Sequence, residues 1–239
     1  MPTAHAIYLV KSYANEQYAK NFIEKGEMYM NTATFYRYLA YCEKGSPYNI
    51  DWTQDTSKGI SDQREGIVCD SIFLRQNNPM FCMYTVADCD IKGERIVGLK
   101  RKAVNEFLSN GHTCFVIVPI DDFFNIAISK LKNTCQFDFV HYEKASFESD
   151  FKYLMSNDLS VLYRKSLRYA HQQEYRIVSS ITTKQARIEF DQGKYVIRFE
   201  DGTDYRGVTE YIGDISKFAR LFKYSDLIDF DKEYYTINL

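Results

Sequence analysis

The chain has 239 residues, a formal net charge of −2 at pH 7, 45% hydrophobic residues and 16% aromatic residues. This length suits one large domain or two small ones, and it is enough to bury a core without disulfides or a structural metal. The near-neutral charge excludes a global attraction to nucleic acid, although a local basic groove is compatible with it. No apolar run approaches the roughly 18 residues of a membrane span, and the N-terminus does not resemble a signal peptide. We therefore expect a soluble, cytoplasmic protein.

Six cysteines and four histidines are spread along the chain without forming a cluster. None of the cysteines forms a CxxC pair, and most lie inside apolar runs, which is typical of buried free thiols in a reducing compartment. A zinc site needs ligands grouped at short spacings. The sequence therefore predicts no metal site.

The first part of the chain predicts alternating strands and helices. Hydrophobic periodicity indicates, in chain order, a strand at 6–10, a helix at 14–25, a strand at 27–32 and a short aromatic helix at 34–42. Ser12 or Asn15 is expected to cap the first helix, and Gly26 is expected to end it in the left-handed conformation.

Residues 43–66 show no clear period and are rich in Gly, Ser, Asp, Asn and Gln, with Trp52 among them. Connections longer than about 12–15 residues in compact domains are usually functional or disordered. We expect this segment to fold over a cleft as a lid.

The remaining chain predicts a mixture of strands and helices. Strands are expected at 67–74, 79–86, 113–119, 135–142, 175–181, 186–190, 195–199 and 207–212. Helices are expected at 102–108, from Asp121 or Asp122 through 131, at 147–155, at 161–169 and at 216–222. Residues 88–101 are expected to form a polar segment with a turn at Gly93. Because strands and helices do not alternate strictly, the fold class is α+β with a mixed or antiparallel sheet. No repeat or linker divides the chain, so we expect one domain over 1–239, in which 186–239 is a C-terminal meander and helix.

The stretch 168–179, RYAHQQEYRIVS, is the strongest candidate for a functional site in the sequence. It begins polar and then becomes strand-like, which places Glu174 at the mouth of a strand where a rigid element can aim a carboxylate into a cleft. Alternation puts Glu174 and Arg176 on one face and Tyr175 and Ile177 on the other. The alternative is that Glu174 and Arg176 form a surface cross-strand pair worth a few tenths of a kcal/mol.

Several common catalytic motifs are missing from the sequence. There is no GxSxG and no cysteine in an obvious frame with a histidine, which disfavours nucleophilic hydrolases. There is no GxxxxGK[ST] loop and no GxGxxG opening a helix, which disfavours phosphate-cradle enzymes.

The segment IYLVKSYANEQYAKNFIEKGEMYMNT at 7–32 resembles the strand–helix–strand opening of ADP-ribosyltransferase-fold proteins. The whole pattern is similar to an uncharacterised bacterial family that has this opening, a CfS strand and a closing E-Y-R-[IV] strand. The matching segments are 7–13, 18–32, 61–66, 81–85 and 165–178. The adjacent run His141-Tyr142-Glu143 spells the letters of one transferase class, but in that class the three residues lie far apart in sequence.

The resemblance implies a split sheet and an NAD-dependent transfer of ADP-ribose to a macromolecular target, such as that of a toxin or a phage–host conflict factor. It implies that Glu174 stabilises an oxocarbenium-like state, as a carboxylate does in a glycosidase, and that Gln172 is the first residue of a Q-x-E pair. The end of the first strand would hold NAD, a tyrosine would stack on nicotinamide, and a threonine would match the second motif. The residues implied for NAD are Lys11, Ser12, Tyr13, Tyr36, Tyr84 and Thr85.

Two other interpretations remain open. One is a catalytically inactive binding module that occludes a protein or nucleic-acid partner; the absence of His or Arg at the end of the first strand favours it, whereas the intact Q-x-E-Y-R-[IV] stretch favours the enzyme. The other is nucleic-acid binding through Arg95, Lys100, Arg101 and Lys102, for which the alternative is a solvated helix start. For the tyrosines the alternative is core packing, and for Lys11 it is a solvated strand end.

Overall fold

The computed structural model of the chain describes residues 5–44, 67–69, 72–73, 77–143 and 159–239. The segment expected to form a lid, 43–66, lies outside the described residues beyond Lys44, and the helix expected at 147–155 lies outside them altogether. Both expectations stay predictions.

The described residues form mostly antiparallel strands with a few helices. The α-helices are α1 (Glu16–Lys25), α2 (Ala33–Lys44), α3 (Arg101–Ser109) and α4 (Ile120–Leu131). Short 3-10 helices lie at Asp88–Asp90, Leu159–Tyr163, Leu167–Gln172 and Tyr224–Asp226. The strands of the first half are β1 (Ala6–Tyr13), β2 (Glu27–Met30), β3 (Ile67–Cys69), β4 (Ile72–Phe73), β5 (Met80–Ala87), β6 (Ile91–Lys92), β7 (Arg95–Lys100) and β8 (Cys114–Pro119). Those of the second half are β9 (Cys135–Phe139), β10 (His141–Glu143), β11 (Arg164–Ser166), β12 (Glu174–Ser179), β13 (Ala186–Asp191), β14 (Lys194–Phe199), β15 (Val208–Tyr211), β16 (Arg220–Lys223), β17 (Ile228–Asp229) and β18 (Tyr234–Asn238).

The α+β class is confirmed, and a six-stranded sheet with the order β16-β8-β1-β5-β12-β9 forms its centre. Every ladder in this sheet is antiparallel. A second sheet of four strands has the order β17-β18-β7-β6. None of the helices within the described residues is long and apolar enough to cross a membrane.

The first helix has the ends that its sequence predicts. Asn15, one of the two expected caps, accepts a hydrogen bond from the backbone N–H of Tyr18 at 3.0 Å. Gly26 ends the helix at φ 61°, and its left-handed conformation is one that side chains rarely adopt. Asn15 therefore caps the helix, and Ser12 does not.

Strands β1 and β5 diverge halfway along their length. The β1–β5 ladder runs from Ala6 opposite Ala87 to Val10 opposite Tyr84 and ends there. Beyond that point β1 continues against β8 as far as Tyr13, while the start of β5 pairs with β12. The sheet is therefore open between the last residues of β1 and the first residues of β5.

The two faces of the central sheet are covered differently. Helices α1 and α4 pack on one face, around a core that includes Phe22, Phe123 and Ile177. The other face is covered by α3 and β18 around Val10 and Phe115, and by the Leu159–Tyr163 turn farther along the sheet. A space remains on this second face, at the level where β1 and β5 diverge.

The turn expected at Gly93 is present and joins β6 to β7 in a hairpin. Two sequence-based assignments are wrong. Residues 161–169 form 3-10 turns and β11 instead of an α-helix, and 216–222 contains the start of β16, which pairs with β8. Tertiary pairing at a sheet edge overrides local propensity in the last case.

The start of α4 also differs from the expected cap. The helix begins at Ile120, so Asp121 and Asp122 lie in its first turn, where their charge complements the helix dipole. The aspartates therefore support this helix end without capping it.

Candidate functional site

A cavity of about 310 Å³ lies where β1 and β5 diverge. Residues of β1, β5 and β12 line it, together with residues of α2, α3 and the turn before β12. The polar side chains that line it are Lys11, Ser12, Asn31, His112, Lys165, Gln172, Glu174 and Arg176. Aromatic side chains line it as well: Phe35, Tyr36, Tyr84 and Phe107.

Glu174 is buried in the wall of this cavity and forms two ion pairs. Its Oε1 accepts a hydrogen bond from Arg176 Nε at 2.6 Å, and its Oε2 accepts one from Lys165 Nζ at 3.0 Å. It is the first residue of β12 and lines the cavity, which agrees with the expected position at the start of a strand facing a cleft. Its residue exposure is only 7%, so the alternative of a surface pair with Arg176 is wrong. Both cations reach the carboxylate because β12 places Arg176 on the same face and β11 brings Lys165 alongside.

The ionisation of Glu174 follows from these contacts. Burial opposes its charge, but the positive charges of Arg176 and Lys165 outweigh burial and hold its pKa well below the usual range. A carboxylate of this kind is a weak proton acceptor and a permanent anion. It can stabilise a neighbouring positive charge more readily than it can remove a proton.

Lys11 fills the gap between the diverging strands. Its Nζ donates a hydrogen bond to the backbone carbonyl of Cys82 at 2.8 Å and lies 4.2 Å from the centre of the Phe81 ring. Burial lowers the pKa of Lys11, although the nearby Glu174 offsets part of this effect. Among the described residues, no carboxylate lies within ion-pair distance of Lys11. With Lys165 and Arg176, it gives the cavity more positive than negative charge.

A neutral hydrogen-bonded chain occupies another wall. Ser12 Oγ lies 2.5 Å from His112 Nδ1 and 2.7 Å from the hydroxyl of Tyr224. The His112 ring stacks on Phe107, with centroids 5.8 Å apart and planes 18° apart. Burial, and then the charge of Lys11, lowers the pKa of His112 to about 4, so the imidazole is neutral at physiological pH. His112 was not predicted as a site residue, because its partner Ser12 lies 100 residues away in the sequence.

The turn before β12 is held in an uncommon conformation. Gln173 has φ 42°, which is rare for a residue with a side chain and is stable only when its surroundings hold it. Thr85 donates to the Gln173 carbonyl through its N–H at 2.9 Å and its hydroxyl at 2.6 Å, and the Tyr84 hydroxyl donates to Gln173 Oε1 at 2.7 Å. These contacts fix the direction in which Glu174 enters the cavity.

Of the six residues expected to bind NAD, four line the cavity and two do not. Lys11, Ser12, Tyr36 and Tyr84 line the cavity, but Thr85 does not. Tyr13 lies on the opposite face of the sheet, with its ring 5.9 Å from that of Phe22.

Gln172 lines the cavity and is bound to α3. Its Nε2 donates to Glu106 Oε2 at 3.0 Å, and the other oxygen of Glu106 lies 2.7 Å from His171 Nε2. The Q-x-E pair thus has its glutamine anchored to one helix and its glutamate anchored to two cations.

The basic residues considered for nucleic-acid binding do not form one cluster. An open groove of about 800 Å³ is lined by Lys100, Arg101 and Lys102, together with Lys232. Arg101 is already engaged there, since its Nη2 donates to Asp229 Oδ1 at 2.8 Å. Arg95 lies at the other end of β7 and does not line the groove.

The cavity where β1 and β5 diverge combines chemically different groups. Its features are a buried carboxylate between two cations, an additional lysine at the opening of the sheet, and a serine bound to a neutral imidazole. Comparison with known protein families, curated proteins and solved structures finds no match for this chain.

Proposed function

We propose that the cavity binds NAD and that the protein transfers ADP-ribose from it to a macromolecular target, as ADP-ribosyltransferase-fold proteins do. The observation that carries this proposal is the meeting of Lys11 and Ser12 with Glu174 in one cavity. The family resemblance assigned Lys11 and Ser12 to NAD binding and Glu174 to catalysis, and Ser12 and Glu174 lie 162 positions apart in the chain. The opening of the sheet between β1 and β5 supports the split-sheet architecture of that fold.

The charge of the cavity fits a dinucleotide. Lys11, Lys165 and Arg176 exceed the single carboxylate of Glu174, and such an excess of positive charge favours phosphate groups. Ligand cavities commonly measure about 300–1,000 Å³, so this one suits a nucleotide half and one phosphate, with the remainder of NAD outside. Tyr36 and Phe35 offer aromatic surface to the nicotinamide ring.

Glu174 has an electrostatic role in this proposal. Cleavage of the bond between ribose and nicotinamide builds positive charge on the sugar, and a fixed anion stabilises that charge without rearrangement during the reaction. The low pKa of Glu174 suits this role because the carboxylate stays ionised throughout.

A second candidate is a binding module without chemistry. Both oxygens of Glu174 are held by cations, which leaves the carboxylate with less freedom to contact a ribose hydroxyl. A protein of this kind would bind NAD or ADP-ribose without breaking a bond.

The test is to incubate the wild-type protein with NAD, measure binding by calorimetry and measure release of nicotinamide by chromatography. We expect both, and we expect Glu174→Gln to lower the rate of release by about 10²–10⁴-fold, the usual contribution of a positioned catalytic group. The matched control is Glu189→Gln, which removes a carboxylate paired with Arg187 and Arg198 on an exposed hairpin. NAD binding without release of nicotinamide would select the binding module, and absence of NAD binding would refute the transferase.

A further inference from the structure

The serine at the end of β1 has the geometry of an activated nucleophile. Ser12 Oγ lies within hydrogen-bond distance of an imidazole nitrogen and of a phenol hydroxyl at the same time. In one of the two directions of this chain, Tyr224 donates to Ser12 and Ser12 donates to His112 Nδ1. A nucleophile next to a base that a third group orients is the arrangement found in covalent catalysis, and here stacking on Phe107 orients the imidazole.

The groups around Ser12 favour that direction. Burial raises the pKa of Tyr224, so the phenol keeps its proton and can donate it in a hydrogen bond. His112 is neutral, so its Nδ1 can accept. Lys11, which precedes Ser12 in β1 and lines the same cavity, provides a positive charge that favours an oxyanion.

The other groups that line the cavity cannot readily take up this proton or act in place of Ser12. Both oxygens of Glu174 accept hydrogen bonds from Lys165 and Arg176, so the carboxylate is already engaged, whereas His112 Nδ1 lies 2.5 Å from Ser12 Oγ. Burial, and then the charge of Glu174, raises the pKa of Cys82 to about 12, so its sulfur remains a thiol. Ser12 and His112 are thus the pair in the described part of the cavity that combines a nucleophilic oxygen with a free base.

We infer that Ser12 is a nucleophile with His112 as its proton acceptor, and that Ser12 is itself modified with ADP-ribose. The inference rests on the proposed function for its electrophile, which is the anomeric carbon C1′ of the nicotinamide ribose. The bond from Ser12 Oγ to C1′ forms as the bond from C1′ to the nicotinamide nitrogen breaks, and nicotinamide leaves as a neutral molecule with the bonding electron pair. The hydroxyl proton passes to His112 Nδ1 and then to solvent. Tyr224 is a positioning residue that holds the oxygen.

The experiment uses the full chain incubated with NAD, followed by intact mass measurement and peptide mapping. We expect one ADP-ribosyl group on the peptide that contains Ser12. Ser12→Ala should carry no label, and His112→Asn should be labelled at least about 10²-fold more slowly, the contribution of a positioned base. Ser129→Ala, which removes a hydroxyl bonded only to its own helix at Ile126, is the control and should be labelled as the wild type is.

A parallel reaction with a fluorophosphonate probe tests the pair without NAD. Labelling of Ser12 that is lost in His112→Asn supports the nucleophile, and equal labelling or no labelling overturns it. Tyr224→Phe keeps the Ser12–His112 contact and should slow both reactions while preserving NAD affinity, a split that a merely structural role would not produce.

The two proposals fail in different ways. Release of nicotinamide without ADP-ribose on Ser12 would overturn this inference and leave the proposed function standing. Absence of nicotinamide release from the wild type would instead refute the proposed function, and the fluorophosphonate result would then decide the role of Ser12 alone. Circular dichroism of His112→Asn establishes that the variant is folded; if it is not, the Tyr224→Phe comparison decides.

Discussion

The two polar walls of the cavity differ in how their groups are stabilised. One wall holds the charges of Glu174, Lys165 and Arg176, which are almost completely removed from solvent. The other wall holds Ser12 and His112, which are neutral and hydrogen-bonded. Removing one member of a buried ion pair leaves an uncompensated charge, whereas removing a neutral hydrogen bond costs about 1 kcal/mol. The charged wall is therefore tied to folding, and the neutral wall can be altered with less effect on it.

The largest effect should come from breaking the charged wall. Glu174→Gln keeps the shape of the side chain but leaves Lys165 and Arg176 buried without their anion, which should lower the free energy of unfolding by about 3–5 kcal/mol. Urea denaturation measures this loss. Glu189→Gln, on the exposed β13–β14 hairpin, should leave the urea midpoint almost unchanged. Similar midpoints for the two variants would mean that the wall around Glu174 is hydrated in solution.

The neutral wall should show its effect through pH. The pKa of His112 is about 4 in the folded protein and 6.5 when unperturbed, so between these values the unfolded chain binds a proton that the folded chain does not. Stability therefore falls as the pH is lowered through this window, by about 2 kcal/mol after allowance for the partial exposure of the ring. Glu174 acts in the same direction but at lower pH, because its stabilisation is lost only as the pH falls below the ordinary pKa of a carboxyl group.

Urea denaturation at intervals from pH 7 to pH 4.5 measures the effect of His112. His112→Asn keeps a hydrogen-bond acceptor near Ser12 but cannot titrate, so its stability should change less across this range. Parallel profiles for the wild type and the variant would show that another group causes the dependence.

The smallest effect should come from Lys11, which lies between the two walls. Lys11→Met removes a charge that is partly buried, and the stability of the protein should change by no more than about 1 kcal/mol because an apolar chain fills the same gap. Affinity for ADP-ribose should fall about tenfold, equivalent to about 1.4 kcal/mol.

Calorimetry with ADP-ribose measures the effect of Lys11. The control is Lys20→Met, which removes an exposed lysine paired with Glu16 on α1 and should leave ADP-ribose affinity unchanged. Equal affinities for wild type and Lys11→Met would place the phosphate groups outside this cavity.

Local patterns in the sequence predicted much of the structure correctly. Alternation separated Glu174 and Arg176 from Tyr175 and Ile177, and the structure has the first pair facing the cavity and the second pair in the core. The first helix and its Gly26 end were predicted, and its cap was narrowed to Ser12 or Asn15, because those signals act within a few residues. The same patterns selected the stretch that carries Glu174.

Contacts between distant segments were beyond the reach of those patterns. The burial of Glu174 depends on Lys165 from β11, and the β16 strand depends on an edge of β8 that only the folded sheet provides. The periodicity of a segment predicts which face of the strand a side chain occupies, but not which residues of other segments contact it.

The sequence by itself determined the α+β class and the faces of β12, since periodicity is a property of neighbouring residues, whereas Lys11, Ser12 and Glu174 became site candidates through the family resemblance. Only the tertiary structure decided that β1 and β5 diverge to form a cavity and that Ser12 meets His112 and Tyr224. Those partners lie 100 and 212 positions away in sequence. Strand order brings them together, and strand order depends on the packing of the whole chain.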